Sequence, residues 1–353
     1  MKSIRDLLEP TTFMTPYQAP TEVCITVDTE FSIGGAFANP TANKPVGLQR
    51  VLCEVDEKEE GLGFLLDTFA AYGISATFFV EALNHCYFGD APMQALAHRI
   101  LASSQDVQLH LHPCWTTFRN PQWQTDLPRA QRSDSWVGLS ADETYDLIQL
   151  GLQTFERWQL PRPIAFRTGN LQPTTAIYKA MAQLQIPLSS HIAPPIHRSP
   201  DPTFHLSGGR HWLHGVLELP VLSYIELRIG SWQRQHSFTV VATSVNEIDN
   251  LLWAARQHGI SPIVILAHPF DFIKASDQQY VRIRRNRLNQ DRLRHLCRFV
   301  HQHPRDFVSV SFRQGMDKWL QAQGTENPRL KVSPFGVVRR LAENSLNDLL
   351  WTY

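Results

Sequence analysis

The stretch that decides the fold is DVQLHLHP, residues 106–113, an alternating apolar run that ends in two histidines and a proline. Side chains at positions i and i+2 of a strand point to the same face, so His110 and His112 can converge on one point. Neutral imidazoles bind divalent transition metals, and a carboxylate from a neighbouring strand would complete a ligand set with open positions. Taken alone, such a pair is more often two hydrogen-bonded histidines than a metal site.

Seven further runs along the chain have the same strand-like character. They cover residues 22–28, 75–81, 164–170, 215–221, 237–243, 262–268 and 306–312. Helical patterns lie between most of them, at residues 61–73, 92–104, 140–158, 174–185 and 246–259. The helix at 140 begins with Ser140 and Glu143, a capping-box pattern. Repeated strand–helix units are typical of parallel βαβ folds, and seven or eight of them predict an α/β chain that closes, or nearly closes, into a barrel.

Polar residues fall at the carboxyl ends of these strands, where (β/α) barrels carry their chemistry. Asp28 ends the run at 22–28, Arg167 lies near the end of the run at 164–170, and His268 closes the run at 262–268. Glu30 shares a strand face with Asp28, so one carboxylate can bind a cation while the other stays free to accept a proton from water. Taken alone, the two carboxylates fit a polar turn equally well. Together with the histidine pair, these coincidences favour an active site at the barrel mouth.

The composition narrows the class of partner. Among the 353 residues, 33 Lys and Arg balance 33 Asp and Glu, so no net charge attracts nucleic acid or an anionic membrane. Five cysteines without a CxxC pair favour reduced thiols over a disulfide framework or a structural zinc knuckle. The N-terminal residues lack the apolar run of a signal peptide, and no later stretch approaches the roughly 20 apolar residues of a membrane span. The expected location is therefore cytoplasmic.

The main barrel is expected to span residues 20–320. Residues 113–136 and 191–214 interrupt the strand–helix rhythm with proline and tryptophan, and the first of these insertions could cover the barrel mouth. Trp115 is a candidate for stacking on a substrate ring, although burial is the more frequent use of tryptophan. Residues 321–353 form an extension that ends in an amphipathic helix. That helix is expected to pack on the barrel or on a second subunit, so a homo-oligomer is one expectation.

Five short motifs resemble those of the NodB-type polysaccharide deacetylases. They are TVDTE (26–30), ATFFVE (76–81), LHLHP (109–113), FRTGN (166–170) and LAHP (266–269). Each motif alone is weak, and the strength lies in the ordered set, which covers about residues 20–315. The resemblance implies a distorted, incomplete barrel of the (β/α)7 type. It also implies a divalent metal, with zinc first and cobalt, nickel, iron or manganese as alternatives.

The resemblance assigns roles to the first polar motif. Asp28 would be the general base, because it stands where the first Asp of the family's motif stands. Thr29 replaces the second Asp, so the metal carboxylate would be Glu30, one place later. Both residues stand at the mouth of the first strand.

The second metal histidine is less settled than the first. His110 matches the family's first metal histidine, and the family's spacing places the second at Cys114. Either His112 has taken over that role or the thiolate of Cys114 has. His112 is preferred, because it shares a strand face with His110 and Cys114 lies beyond a proline.

The later motifs complete the implied site. Arg167 matches the arginine that pairs with the catalytic Asp, and Gly169 stands where a proline is usual. His268 matches the histidine that protonates the leaving amine, and Leu266 matches the residue that lines the acetyl pocket. Asp271, three residues after that histidine, is a candidate to orient it.

The expected reaction is metal-dependent hydrolysis of a carbon–nitrogen amide bond, first of all removal of an acetyl group from an N-acetylated sugar or glycan precursor. An alternative is a non-sugar amidohydrolase of the cyclic ureide or imide type. The departures at Thr29 and Cys114 favour it, as does Leu188 at a position where the family has an aspartate. A third hypothesis is a barrel without turnover that binds a glycan or a protein.

Overall fold

The computed structural model describes residues 19–130, 134–230, 232–327, 329–332 and 334–349. The strands are β1 (Thr21–Thr29), β2 (Glu54–Val55), β3 (Lys58–Glu59), β4 (Ala76–Glu81), β5 (Asp106–Leu111), β6 (Ala165–Thr168), β7 (Leu188–Ser189), β8 (His211–Leu213), β9 (Val216–Glu218), β10 (Ser223–Ile229), β11 (Trp232–Ser237), β12 (Ile263–Ala267), β13 (Ile273–Ala275), β14 (Ile283–Arg285), β15 (Phe307–Ser309) and β16 (Leu330–Lys331). The helices are α1 (Leu48–Leu52), α2 (Leu62–Tyr72), α3 (His85–Phe88), α4 (Ala91–Ala102), α5 (Trp123–Ala130), α6 (Ala141–Arg157), α7 (Thr175–Gln183), α8 (Val245–Gln257), α9 (Arg287–Gln302), α10 (Phe312–Gln321) and α11 (Pro334–Leu349). Of the helices described, none has the length and apolar content needed to cross a bilayer.

The main sheet is curled and mostly parallel. Its strands are hydrogen-bonded in the order β12-β1-β4-β5-β6-β7-β9-β8, and β15 also pairs with β1. These pairings are parallel except that of β8 with β9. Isolated bridges from Val221 to Val264 and from Thr239 to Leu266 bring the far part of the sheet back to β12. The chain therefore forms a distorted (β/α) barrel, which confirms the predicted fold class.

The central strands are buried on both faces, as expected for parallel strands covered by helices. Val23, Ile25 and Val27 of β1 belong to the larger apolar core. Cys24 of β1 and Phe79 of β4 belong to a smaller core on the other face. Since successive residues of a strand alternate between faces, the even-numbered residues of β1 point to the inner side of the barrel.

Helix α6 begins where the sequence predicts. The Ser140 hydroxyl accepts a hydrogen bond from the Glu143 backbone N–H at 3.2 Å, and the Glu143 carboxylate accepts one from the Ser140 N–H at 2.8 Å. This capping box satisfies donors that the first helical turn leaves unpaired. It fixes the start of α6, the helix that follows the insertion at 113–136.

The region after β9 departs from the sequence-based prediction. Residues 237–243 are predicted as a strand, but β11 ends at Ser237 and the following segment makes only a bridge at Thr239. Phe238 is fully buried, so the segment is apolar because it packs inside the protein. The β10–β11 hairpin escapes prediction because a register shift after Ile225 and several charged residues interrupt its alternation.

The C-terminal extension packs on its own chain as far as Leu349, the last residue described. Strand β16 pairs with β10. Arg340 of α11 is 2% exposed and forms ion pairs with Glu226 and Glu247. A buried charge of this kind is strongly destabilising when its partner is removed. The extension is therefore anchored to the barrel, while a homo-oligomer stays a prediction.

Candidate active site

The residues predicted from the motifs meet at one end of the barrel. Asp28 lies near the end of β1, His110 near the end of β5, and Arg167 near the end of β6. Pairing of β5 with β6 places His110 directly beside Arg167, and His268 follows β12 immediately. Carboxyl ends of parallel strands share one edge, which is where (β/α) barrels build their sites.

Glu30, His110 and His112 form a compact candidate metal centre. The Nε2 atoms of His110 and His112 lie 3.3 and 2.8 Å from Glu30 Oε2. The possible ligand atoms of all three residues lie within 4.8 Å of one another. Two imidazoles and one carboxylate on a common point match the donor set of hydrolytic metal sites with open positions.

A second layer of contacts orients both imidazoles. His110 Nδ1 lies 3.0 Å from the backbone carbonyl oxygen of Arg167, and His112 Nδ1 lies 3.1 Å from both carboxylate oxygens of Asp134. Because a carbonyl or carboxylate oxygen can only accept, Nδ1 donates the hydrogen bond in each case. The Nε2 atom is then the one that each ring turns toward Glu30, and it can bind a cation in place of a proton.

The electrostatics of the three residues are coupled. Burial raises the pKa of Glu30, but the charge of His112, the hydrogen bonds from both histidines and the charge of Arg50 outweigh it and hold the pKa well below its usual range. Burial lowers the pKa of His112, but the charges of Asp134 and Glu30 outweigh it and raise the pKa well above its usual range. The carboxylate therefore stays ionised and available to a cation.

Cys114 lies on the far side of the His112 ring. Its sulfur groups with His112 and Asp134, in a cluster that does not include Glu30 or His110. Burial, followed by the charge of Asp134, raises the pKa of the thiol well above its usual range. Since the thiolate is the form that binds metals, this environment favours His112 over Cys114 as the second ligand beside His110.

Asp28 is fixed by a fully buried arginine. Arg167 Nη1 donates to Asp28 Oδ1 at 2.6 Å, and the guanidinium also donates to the Ser190 carbonyl and hydroxyl and to the Thr26 hydroxyl. The guanidinium lies 4.2 Å from the centre of the Phe79 ring. Charge-assisted hydrogen bonds of this kind hold a carboxylate in one orientation. Asp28 Oδ2 makes no hydrogen bond within the described chain, so this oxygen is free to accept a proton.

His268 has its own carboxylate. Its Nδ1 lies 3.4 Å from Asp271 Oδ2, and the same oxygen accepts the His268 backbone N–H at 2.8 Å. Its ring stacks on Phe270 with centroids 4.7 Å apart. Burial lowers the pKa of His268, but the charge of Asp271 outweighs it, and the net pKa is raised. The protonated imidazole is therefore favoured, as a proton donor requires.

Trp115 and Leu266 are the two residues predicted to contact the substrate. Trp115 is 1% exposed and packs against Phe88 and Phe118, so no ring face is open to a ligand. This corrects the expectation that Trp115 binds substrate, because its apolar surface packs in the core. Leu266 is buried on β12, two residues before His268 and therefore on the same strand side. Its contact with an acetyl group stays a prediction.

Sequence reasoning missed two charged partners of the site. Arg50 Nη2 donates to Glu30 Oε1 at 2.9 Å, and Asp134 holds His112 from the insertion at 113–136. Neither residue lies on a strand run or in a motif. The only sequence signal was the placement of the insertion after the histidine strand, because a loop there can return over the barrel mouth.

Gly169 makes room for His112. A Cβ built on Gly169 would lie 2.4 Å from atoms of the His112 ring. The glycine therefore stands where the ring needs space. The HxH pattern and Gly169 both differ from the motifs that this chain resembles. The two differences are connected, because the His112 ring occupies the space that a side chain at position 169 would need.

We expect Gly169→Ala to weaken cation binding by about 10–100-fold, the scale of a lost orienting contact, because the new methyl group would push the His112 ring away from Glu30. Affinity for Zn²⁺, measured by competition with a chelator, checks this. Gly215→Ala is the control, because its nearest neighbour would be 4.0 Å from the new Cβ, although its positive φ adds some strain. Equal affinities of wild-type and Gly169→Ala protein would contradict the steric account.

The fold is similar to that of solved polysaccharide deacetylases. A crystal structure of a candidate polysaccharide deacetylase from Mycobacterium smegmatis matches 89% of this chain and 99% of its own, with 14% identity and a TM-score of 0.51. A family 4 carbohydrate esterase from Streptomyces lividans, solved with acetate, matches 88% and 100%, with 11% identity and a TM-score of 0.41. A family 4 pseudoenzyme from Bacillus anthracis matches 89% and 70%, with 11% identity and a TM-score of 0.39.

Neither the protein-family models nor the curated proteins contain a match to this sequence. The first structural likeness shows the class of fold, the polysaccharide deacetylase barrel. The resemblance that the ordered motifs indicate is thus confirmed at the level of the fold.

Proposed function

We propose that this chain is a metal-dependent hydrolase of carbon–nitrogen amide bonds that removes an acetyl group from an N-acetylated sugar or glycan precursor. The observation that carries the proposal is the convergence of Glu30, His110 and His112, with their ligand atoms within 4.8 Å of one another at the barrel mouth. The Asp28–Arg167 pair at the same strand ends supports it, as does a fold shared with a candidate polysaccharide deacetylase.

The donor set fits a divalent transition metal. Glu30 and the Nε2 atoms of His110 and His112 would hold it, with zinc first and cobalt, nickel, iron or manganese as alternatives. When bound, such a cation polarises the acyl carbonyl and lowers the pKa of water. The rest of the reaction depends on groups that this chain supplies.

Asp28 would act as the general base. Arg167 holds its Oδ1 at 2.6 Å, which leaves Oδ2 to take the proton from the attacking water. The arginine is fully buried and held by Ser190 and Thr26, so it fixes the carboxylate in one orientation. A base that is already oriented contributes without rearrangement at the moment of reaction.

His268 would act as the general acid. Asp271 keeps the imidazole oriented and favours its protonated form, so the proton can pass to the nitrogen of the departing amine. Leu266, on the same side of β12, would line the space for the acetyl methyl.

A cavity of about 470 Å³ beside the site offers space for the rest of the substrate. Phe37, Arg50 and Tyr280 are among its lining residues, a mixture of ring faces and donors that suits a small polar ligand. A larger groove of about 710 Å³ lies elsewhere, among charged residues that include the paired Glu59 and Arg99. We place the substrate in the smaller cavity, because Arg50, the partner of Glu30, lines it and does not line the larger groove.

The pH dependence should report His268. Because its pKa is raised, the acid form is fully present at low pH and is lost as the pH rises through that raised value. Asp271→Asn removes the charge that raises the pKa but keeps an acceptor for the His268 N–H, so the alkaline limb of kcat/KM should move to lower pH. Asp291→Asn, at an exposed position on α9, is the control. An unmoved alkaline limb in Asp271→Asn would exclude His268 as the group seen there.

Acetate release tests the proposed reaction. Purified protein loaded with Zn²⁺ or Co²⁺ is expected to release acetate from at least one N-acetyl sugar in a panel, and chelator treatment is expected to abolish it. Hydrolysis of a cyclic ureide or imide without any acetate release would favour the non-sugar amidohydrolase. A protein that binds sugars but holds no cation would favour the binding barrel.

A further inference from the structure

Glu81 is a buried carboxyl that the proposed reaction does not use. It ends β4 and is fully buried. Its Oε1 accepts the Leu83 backbone N–H at 2.6 Å, while its Oε2 is buried and has no hydrogen-bond partner in the described part of the chain. A buried polar atom without a partner is costly, and one in a folded protein calls for an explanation such as a water, an ion or a catalytic role.

The position of Glu81 points to the candidate metal centre. Strand β4 lies between β1 and β5, and Glu81 pairs directly with His110. Paired residues of adjacent strands project to the same face, about 4.8 Å apart along the hydrogen-bonding direction, so Glu81 faces the inner side with His110. Thr29, the last residue of β1, pairs with Val80, so Glu30 and Glu81 each follow one member of that pair. Glu81 therefore lies on the strand between β1, which Glu30 follows, and β5, which carries His110.

Asn84, three residues further on, adds to this picture. It is fully buried, and neither its Oδ1 nor its Nδ2 has a hydrogen-bond partner among the residues described. Unpaired polar atoms thus occur twice in the four residues from Glu81 to Asn84.

The charge balance of the site gives Glu81 a role. Arg50 pairs with Glu30 and Arg167 pairs with Asp28, so each arginine cancels one carboxylate. A cation bound at the three ligands would favour the ionised form of Glu81, which would add negative charge beside them.

We propose that Glu81 is a second carboxylate beside the metal centre, which stabilises the bound cation by its negative charge and accepts a hydrogen bond at its free Oε2. This inference rests on the proposed metal-dependent function. It goes beyond it in assigning a fourth protein group to the site, and in explaining why an arginine can pair with the metal carboxylate.

The test is the affinity for Zn²⁺ alone, measured by chelator competition, with Co²⁺ absorption as a second readout of the ligand field. Glu81→Gln keeps the acceptor for the Leu83 N–H and is expected to weaken binding by about 10–100-fold, as expected for a lost partner of a metal site. Glu22→Gln is the matched control, because Glu22 is a buried carboxylate at the opposite end of β1, held by Lys318 and Trp319. It should bind Zn²⁺ as the wild type does.

Arg50→Gln separates the charge from a structural effect. Removing this positive charge should strengthen Zn²⁺ binding, and adding it to Glu81→Gln should restore much of the lost affinity. Wild-type affinity in Glu81→Gln would overturn the inference, and so would a double variant as weak as Glu81→Gln. A wild-type protein that binds neither Zn²⁺ nor Co²⁺ would instead overturn the proposed function.

Discussion

Replacing Asp28 by Asn is expected to lower kcat/KM by about 10²–10⁴-fold, the usual contribution of a general base, while the metal content stays at the wild-type level. Asparagine has nearly the same shape and can still accept from Arg167 through its carbonyl oxygen. It cannot take a proton from water at neutral pH. The loss would therefore fall on the reaction and leave the cation in place.

The measurement is acetate release by protein of known metal content. Asp249→Asn serves as the control, because Asp249 pairs with His295 on the helix layer, at 2.7 Å, outside the site. That variant should retain full activity. An Asp28→Asn enzyme with wild-type kcat/KM would show that another group removes the proton.

Replacing Glu30 or His110 by Ala is expected to lower metal occupancy sharply. Each change removes one of three candidate ligands. Loss of a group that only orients a ligand lowers metal affinity by about 10–100-fold, and loss of a ligand itself should lower it further. Activity should fall with it. Glu30→Ala also leaves Arg50 beside the site without its 2.9 Å partner, which further disfavours a cation.

Metal analysis after dialysis checks this prediction, with circular dichroism to confirm folding. His295→Ala is the matched imidazole control, because His295 has a carboxylate partner on the helix layer and lies away from the barrel mouth. Unchanged metal content in both Glu30→Ala and His110→Ala would refute the ligand assignment.

Sequence patterns were sufficient where one strand determined the outcome. Alternation within DVQLHLHP places His110 and His112 on one face, and the structure brings both within 3.3 Å of Glu30. The barrel follows from repeated strand–helix units, because parallel strands need helical connections. Such local rules need no knowledge of distant contacts.

Sequence patterns failed where distant segments decide the outcome. Asp134 reaches His112 from a loop without periodicity, and Arg50 reaches Glu30 from the short helix α1. In the sequence, Trp115 is a candidate for stacking on a sugar ring, but neighbouring aromatic residues enclose it. These contacts depend on how loops fold over the barrel mouth, which composition does not determine.

Glu81 shows a further limit of motif reasoning. It belongs to the ATFFVE run, where it lies two residues after Phe79. That spacing shows only that the two side chains share one face of the strand. Its unpaired Oε2 and its pairing with His110 appear only once the sheet register is known. A carboxyl at that point can be recognised as part of a metal centre only in three dimensions.

The most direct test of the central claim is a crystal structure of Zn²⁺-loaded protein with anomalous data at the zinc edge. We expect one strong peak at about 2.0–2.2 Å from a Glu30 oxygen and from the Nε2 atoms of His110 and His112. A peak at Cys114 and Asp134 instead, or no peak at the barrel mouth, would contradict the account.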